Sequence, residues 1–291
     1  MNDRNNTRPD GIPGRRSLFC CPKCGGELIY SDRRAVCPAG HSYDMAAEGY
    51  INLLTRGAGT HGDNREMVDA RRRFLDTDAY LPLCDAVSTI CRDLTPDGGT
   101  LLDIGCGEGY YTGEVARKLA PHGGRVAAFD ISREAVRRAA RRLRGAGNID
   151  FAVAGAYDMP VSDGRFDVTL NMFSPLCPNE IRRALRPGGD FVMAVPGEEH
   201  LFSLKAVAYD VPYRKPVLDP ALPGFDLLFR RELRYTFELD SGEDIRALFM
   251  MTPYAYRTPP EGRTRIAALS HLTSEAHFLL LGYRKSQVPA P

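Results

Sequence analysis

Short apolar runs recur through the middle of the chain, each followed by a turn or a helix-compatible stretch. They are TLLDIG (100–105), RVAAFD (125–130), IDFAVA (149–154), FDVTLN (166–171) and GDFVMAVP (189–196). This rhythm predicts an α/β fold, a parallel sheet covered by helices. Two helices precede it. One spans 63–75, opened by Asp63, with Met67, Ala70, Phe74 and Leu75 on one side, and the other covers about 80–93. Upstream, GGELIYSDRRAV reads as two short strands around a Ser31–Asp32 turn. Residues 1–17 are polar, carry Pro and Gly and have no periodicity, the pattern of a disordered tail. The small-residue stretch Gly57–Gly62 reads as a linker, and about 284–291 as a polar tail. The chain therefore divides into a tail at 1–17, a small module at 18–56 and a catalytic-size domain at 57–291. No run reaches 18 apolar residues and the N-terminus lacks an apolar h-region, so a cytoplasmic protein is expected, with no membrane span.

Charge and cysteine content change this picture in two ways. Lys and Arg total 38 against 37 Asp and Glu, a net charge of +1. Bulk electrostatic attraction to nucleic acid is excluded, so any such contact must use local patches. Four of the eight cysteines fall within residues 20–37. Cys21, Cys24, Cys37 and His41 form C-x2-C-x12-C-x3-H, two knuckles joined by a hairpin. Zinc takes four N or S ligands tetrahedrally, and four protein ligands leave no open position, so the expected Zn2+ is structural. Cys20 is out of register for this set, and Cys84, Cys91, Cys106 and Cys177 read as small core residues.

The most informative segment is Leu101–Gly109, LLDIGCGEG. An apolar strand runs into a glycine-rich turn and then a helix, where open α/β sheets bind ligands. A dinucleotide-binding dehydrogenase would use G-x-G-x-x-G. Here the spacing is G-x-G-x-G with Asp103 two positions before Gly105, which resembles motif I of class I S-adenosylmethionine (SAM)-dependent methyltransferases. Asp130 ends the next strand, where an acid can accept hydrogen bonds from both ribose hydroxyls. Arg186-Pro187-Gly188-Gly189 before the fifth strand is also similar to that class. The resemblance implies a SAM site at Asp103, Gly105, Cys106, Gly107, Glu108, Gly109, Tyr110, Asp130, Gly155, Ala156 and Asn171. One departure stands out. Gly155 occupies the place where many such enzymes carry an acid that reads the adenine amine, so the Gly155 and Ala156 backbone or Asp158 must substitute.

The two parts together resemble the RlmA-type 23S rRNA (guanine-N1)-methyltransferases. HSYD (41–44), GYINLL (49–54), GD at 62–63, EMV (66–68), ARR (70–72), DIGCGEGYY (103–111), GEEHLFSLK (197–205) and MTPY (251–254) carry the likeness, across about residues 18–285. It implies a Rossmann-like methyltransferase domain behind an N-terminal zinc ribbon, SAM as cofactor, and a hairpin loop of 23S rRNA as partner. Guanine N1 is protonated and lies inside a base pair, so the base must be unpaired or flipped. Asn171-Met172-Phe173-Ser174-Pro175 follows the fourth strand. Asn171, Phe173 and Pro175 are the candidate catalytic residues, a degenerate form of the polar residue, Pro and aromatic that class I methyltransferases acting on base nitrogens often place there, with Asn171 for the base edge and Phe173 for stacking; strand capping by Asn171 and a core role for Phe173 are the alternatives. No convincing general base appears, Asp63 and Glu66 being equally suited to capping their helix. Among Arg71, Arg72 and Arg73 at least one is expected to face cofactor or rRNA. Arg133, Arg137, Arg138, Arg141, Arg142 and Arg144 read as a solvated helix face, and Lys23, Arg33 and Arg34 as the ribbon's RNA candidates. A stabilising or homodimerising ribbon stays open. Two other functions compete: a small-molecule methyltransferase with an oligomerising ribbon, and a non-enzymatic zinc-ribbon binding protein. Intact Asp103, Gly105, Gly107 and Asp130 weigh against the latter, the ribbon and first-helix likeness against the former.

Overall fold

The five apolar runs form adjacent strands of one sheet, and each run is long enough for a strand buried on both faces. A computed structural model describes residues 14–55, 65–214, 217 and 221–287. The expected linker at 57–62, Asp63 and residues 1–13 lie outside these.

The chain begins as a four-stranded antiparallel ribbon in sequence order: β1 (Arg16–Cys20), β2 (Glu27–Ser31), β3 (Arg34–Val36) and β4 (Ser42–Asp44). The hairpin expected around Ser31–Asp32 is β2–β3, with Leu28 and Tyr30 alternating inward. β1 was not anticipated, because it begins inside the polar stretch assigned to the tail. Ser17, Leu18 and Phe19 are buried there.

β5 (Tyr50–Asn52) then leaves the ribbon and joins the larger sheet. It is followed by α1 (Arg65–Leu75), α2 (Leu81–Leu94), β6 (Thr100–Ile104), α3 (Tyr110–Leu119), β7 (Arg125–Asp130), α4 (Arg133–Arg142) and β8 (Ile149–Val153). Next come β9 (Phe166–Met172), α5 (Pro178–Ala184), β10 (Leu185–Pro196), α6 (Phe202–Ala208), β11 (Phe225–Leu239), α7 (Gly242–Met250), α8 (Pro260–Ala267) and β12 (Leu272–Lys285). The order in the eight-stranded sheet is β11-β12-β10-β9-β6-β7-β8-β5. β5 through β10 pair in parallel, while β12 runs antiparallel between β10 and β11. The chain winds from β6 outward to β8, then returns to β9 on the other side of β6. That reversal opens a crevice at the carboxyl end of β6.

A parallel sheet must be covered on both faces. One face packs under α1–α4, α6 and α7. On the other, α5 covers only part, because β8 connects to β9 without a helix. The ribbon fills the gap: Leu18, Phe19, Leu28 and Tyr30 share a core with Leu102, Ala127, Phe129 and Ala152. A single buried acid fixes it there. The Asp150 side chain is fully buried; its Oδ2 accepts from Leu18 N (2.8 Å) and from Arg125 Nη2 (2.9 Å), and its Oδ1 pairs with Arg15. Arg125 also donates to Arg16 O at 2.9 Å, and Cys20 N donates to Pro160 O at 2.7 Å.

Removing the carboxylate leaves two part-buried guanidiniums and an amide without their acceptor. Asp150→Ala is expected to cost about 3–5 kcal/mol in urea unfolding, the usual toll of breaking a buried charge pair. A loss below about 1 kcal/mol would show that the ribbon is held by apolar packing alone.

Candidate active site and metal centre

The two ribbon knuckles bring Cys21, Cys24, Cys37 and His41 together, with all four ligand atoms within 4.8 Å of one another. Zn–S bonds of about 2.3 Å at tetrahedral angles place sulfurs about 3.8 Å apart. Cys24 Sγ and Cys37 Sγ are 3.7 Å apart, and His41 Nδ1 is 3.5 Å from both Cys21 Sγ and Cys37 Sγ. The donor set and its spacing fit one structural Zn2+, with Nδ1 as the imidazole ligand. Tyr43 Oη lies 3.1 Å from Cys21 Sγ. Burial alone would push the Cys21 thiol up; hydrogen bonds from the Tyr43 hydroxyl and the Lys23 and Cys24 amides bring it down to about 6, favouring the thiolate a metal needs.

At the carboxyl end of β6 the chain turns through three left-handed glycines. Gly105 (φ +73°) lies so close to the β9 turn that a Cβ would sit 2.4 Å from Ser174 Cβ, whereas Gly107 (φ +55°) faces open space. Gly105 N and Cys106 N both donate to Phe129 O at 2.9 Å. Asp130 Oδ2 accepts from Gly107 N at 3.0 Å and Oδ1 from Ser132 N at 2.8 Å, so the acid of β7 braces the loop. Gly109 (φ +83°) packs against Ala139 of α4. Gly155 and Ala156 lie just past β8, and beside Gly155 the space is open.

Not every predicted residue faces this crevice. Asp103 is buried behind the loop, where Thr112 Oγ1 donates to Oδ2 at 2.6 Å. Glu108 is buried against Arg142, whose guanidinium also stacks over the Tyr110 ring. The Cys106 thiol is buried, and the buried Tyr110 hydroxyl has no partner among the described residues. Asp158 is exposed.

The β9 turn is organised by Asn171. Its Nδ2 donates to Pro175 O (3.1 Å) and its Oδ1 accepts from Ser174 N (3.2 Å), so the buried amide shapes the turn. Ser174 Oγ donates to Ile104 O at 2.7 Å, tying the turn to β6. Phe173 is forced to φ +59°, a conformation costly for a residue with a Cβ, and is 47% exposed. A large apolar ring held out by strained backbone suits a stacking platform. Its ring is 6.4 Å from Tyr111 and 5.8 Å from Phe278. Phe278 lies 4.5 Å from the His200 ring, and His200 Nε2 is 3.2 Å from Tyr80 Oη. Because His277 N donates to His200 Nδ1 (3.4 Å), the proton sits on Nε2. Burial, helped by Lys205 and His277, pushes His200 down to about 3, so it is neutral. Sequence reasoning missed Tyr80, Tyr111, His200 and Phe278. The available signal was that GEEH (197–200) directly follows a strand's carboxyl end.

The arginines act mostly as ties. Arg133 Nε donates to Tyr50 Oη (3.2 Å), Arg141 reaches Glu48 (3.1 Å), Arg138 pairs with Asp69 and Glu134, and Arg142 with Asp76 and Glu108. The α4 face read as solvated is instead a seam joining the ribbon exit, α1 and the glycine loop. Arg72 pairs with Asp76 at 3.4 Å, and Arg73 with Glu243 (2.7 Å) and Asp244 (2.6 Å). Glu66, Lys23, Arg33 and Arg34 are exposed.

A metal-binding ribbon against a sheet with this loop, an acid at the end of β7 and this strand order defines a zinc-ribbon protein of the SAM-dependent methyltransferase class. The family described as "RlmA, N-terminal" matches residues 19–55, and the family described as "Methyltransferase domain" matches 96–221. The chain is 34% identical over 256 residues to the 23S rRNA (guanine(748)-N(1))-methyltransferase of Streptomyces fradiae, covering 86% of this chain and 90% of the relative. A Micromonospora griseorubida protein, provisionally named a 23S rRNA (guanine-N(1)-)-methyltransferase, is 34% identical over 95% of this chain and 99% of its own. Bacillus subtilis YxjB, provisionally given the same name, is 30% identical over 89% and 93%. Among solved structures, a SAM-dependent methyltransferase from Aquifex aeolicus is 24% identical, with a TM-score of 0.34 over 37% of this chain and 61% of its own. The chain belongs to the RlmA-type 23S rRNA guanine-N1 methyltransferase family.

Burial pushes the Asp103 carboxyl up to about 7, with Asp130 adding to the shift and Thr112 opposing it. The folded state therefore holds this proton more tightly than the unfolded chain does. The stabilisation is complete below about pH 4 and is lost as pH rises through about 7. Asp103→Asn keeps an acceptor for Thr112 and removes the titration. It is expected to flatten stability between pH 4 and 7 and to stabilise the protein at pH 8 by at least about 1.4 kcal/mol, one pKa unit's worth. Equal pH profiles in thermal melts would contradict the buried-acid account.

Proposed function

We propose that this chain transfers the methyl group of SAM to N1 of a guanine in a hairpin loop of 23S rRNA. The observation that carries the reading is the pairing of a docked zinc ribbon with the glycine loop, in a chain matched almost end to end by relatives named for this activity. Such a substrate makes the protein a cytoplasmic one.

SAM supplies a sulfonium-activated methyl group. The chain's task is to align the guanine with it and keep water out. Gly107 leaves room for the cofactor, and Asp130, already oriented by two amides, faces the ribose. Phe173 takes a face of the flipped base, backed by Tyr111 and Phe278. With SAM bound, transfer to N1 would leave S-adenosylhomocysteine and N1-methylguanine, the N1 proton passing to solvent. Asp103 and Glu108 are committed behind the loop and take no part in that proton transfer. On the ribbon, Lys23, Arg33 and Arg34 offer exposed cations for loop phosphates.

Incubation with radiolabelled SAM and unmodified 23S rRNA, followed by nucleoside mass spectrometry, is expected to show N1-methylguanosine; a label found only in small molecules would refute the reading. Phe173→Ala is expected to cut kcat/KM for the rRNA about tenfold to a hundredfold, since base–aromatic stacking contributes about 1–3 kcal/mol, with SAM affinity unchanged. Unaltered rRNA methylation would remove Phe173 from the base site.

A further inference from the structure

The missing acid at Gly155 leaves the adenine edge of the cofactor unexplained, and the sheet suggests what replaces it. Asp130 of β7 pairs with Val153 of β8, and Val153 pairs with Asn52 of β5. The three residues form one row across parallel strands. In-register neighbours point to the same face, so the Asp130 and Asn52 side chains flank Val153, two strand spacings or about 10 Å apart. That separation is the length of a nucleoside. A ribose on Asp130 thus directs its base along the row, past Gly155, whose flank is open, toward Asn52.

Asn52 is exposed and held in place. Its Oδ1 accepts from Leu54 N at 3.1 Å, and Leu53 N continues the pairing by donating to Val153 O at 2.9 Å. One turn of the pleat earlier, Tyr50 Oη receives Arg133 Nε (3.2 Å), which pins β5 to the first turn of α4, immediately after Asp130. With Oδ1 engaged, the Nδ2 donors are uncommitted among the described residues. Adenine ring nitrogens are acceptors.

We propose that Asn52, on the strand leaving the zinc ribbon, donates from Nδ2 to a ring nitrogen of the cofactor's adenine and so takes over recognition of the base from position 155. The inference rests on the SAM-site reading above. It means the cofactor pocket is closed by a segment of the ribbon half of the chain. It also changes the chemistry of recognition: an acid would read the exocyclic amine, whereas this amide reads a ring nitrogen.

The test is calorimetric binding of S-adenosylhomocysteine to the full-length, zinc-loaded protein, beside its 1-deaza-, 3-deaza- and 7-deaza-adenine analogues. Asn52→Asp preserves the acceptor for Leu54 N and removes the donor; Asn52→Ala removes both. Each is expected to bind S-adenosylhomocysteine about tenfold more weakly, equivalent to about 1.4 kcal/mol, with zinc content and Tm of the Asp variant at wild-type values. Wild type is expected to lose a similar factor with one deaza analogue, and the variants to bind that analogue as they bind the parent. Asn52→Asp binding within twofold of wild type, or equal wild-type affinity for the parent and all three analogues, overturns the assignment. Asp130→Ala separates the two levels: loss of binding there with none at Asn52 refutes Asn52 alone. A wild-type protein that binds no S-adenosylhomocysteine refutes the cofactor reading and this inference with it.

Discussion

A carboxylate with no solvent exposure, Asp150, holds the architecture together. It sits on the sheet face that the direct β8–β9 connection leaves without a helix, and it accepts from both a ribbon amide and two guanidiniums. Buried charge of this kind is tolerated only when every oxygen is satisfied. That requirement fixes β1 in one position. The ribbon is therefore a structural layer of the α/β fold, and it supplies part of the core the sheet needs. Its exposed Lys23, Arg33 and Arg34 stand at fixed positions relative to the glycine loop.

The near-zero net charge follows from the same logic. Many of the 38 basic residues are spent inside the molecule. Arg15 and Arg125 serve Asp150, the arginines of α4 reach Glu48, Asp69, Asp76 and Glu108, and Arg73 ties α1 to α7. Each exposed pair contributes little alone. The pairs of α4 link the ribbon exit, α1 and the loop after β6 through one helix. A balanced total is compatible with recognising a single RNA loop through stacking and a few cations.

Features defined by local spacing were legible in the sequence. The C-x2-C and C-x3-H knuckles, the G-x-G-x-G turn after an apolar strand, and the five parallel strands all follow from short-range patterns. Features defined by long-range pairing were not. β11 and β12 escaped notice because β11 is largely exposed and mixes Arg, Glu and Leu without clean alternation, although it pairs with β12 along its length. The start of β1 hid at the end of a polar stretch because the side chain that anchors it, Asp150, lies far along the chain. The sequence leaves Asn171 open between a base contact and a cap on its strand; in the structure its amide shapes the β9 turn, and Phe173 projects from that turn. That Phe173 projects from the turn depends on a positive φ that no composition signals. Tyr80 and His200 meet only when α2 and the loop after β10 pack together.

The central claim concerns one atom of one base. N1 methylation blocks Watson–Crick pairing, so it stops reverse transcriptase one nucleotide before the modified guanine. Primer extension across 23S rRNA, from cells lacking their own N1-guanine methyltransferase and expressing this chain, tests the claim most directly. The account predicts a new stop at a single hairpin-loop guanine, absent when Asp130→Ala is expressed instead. Identical extension with and without the protein would contradict it.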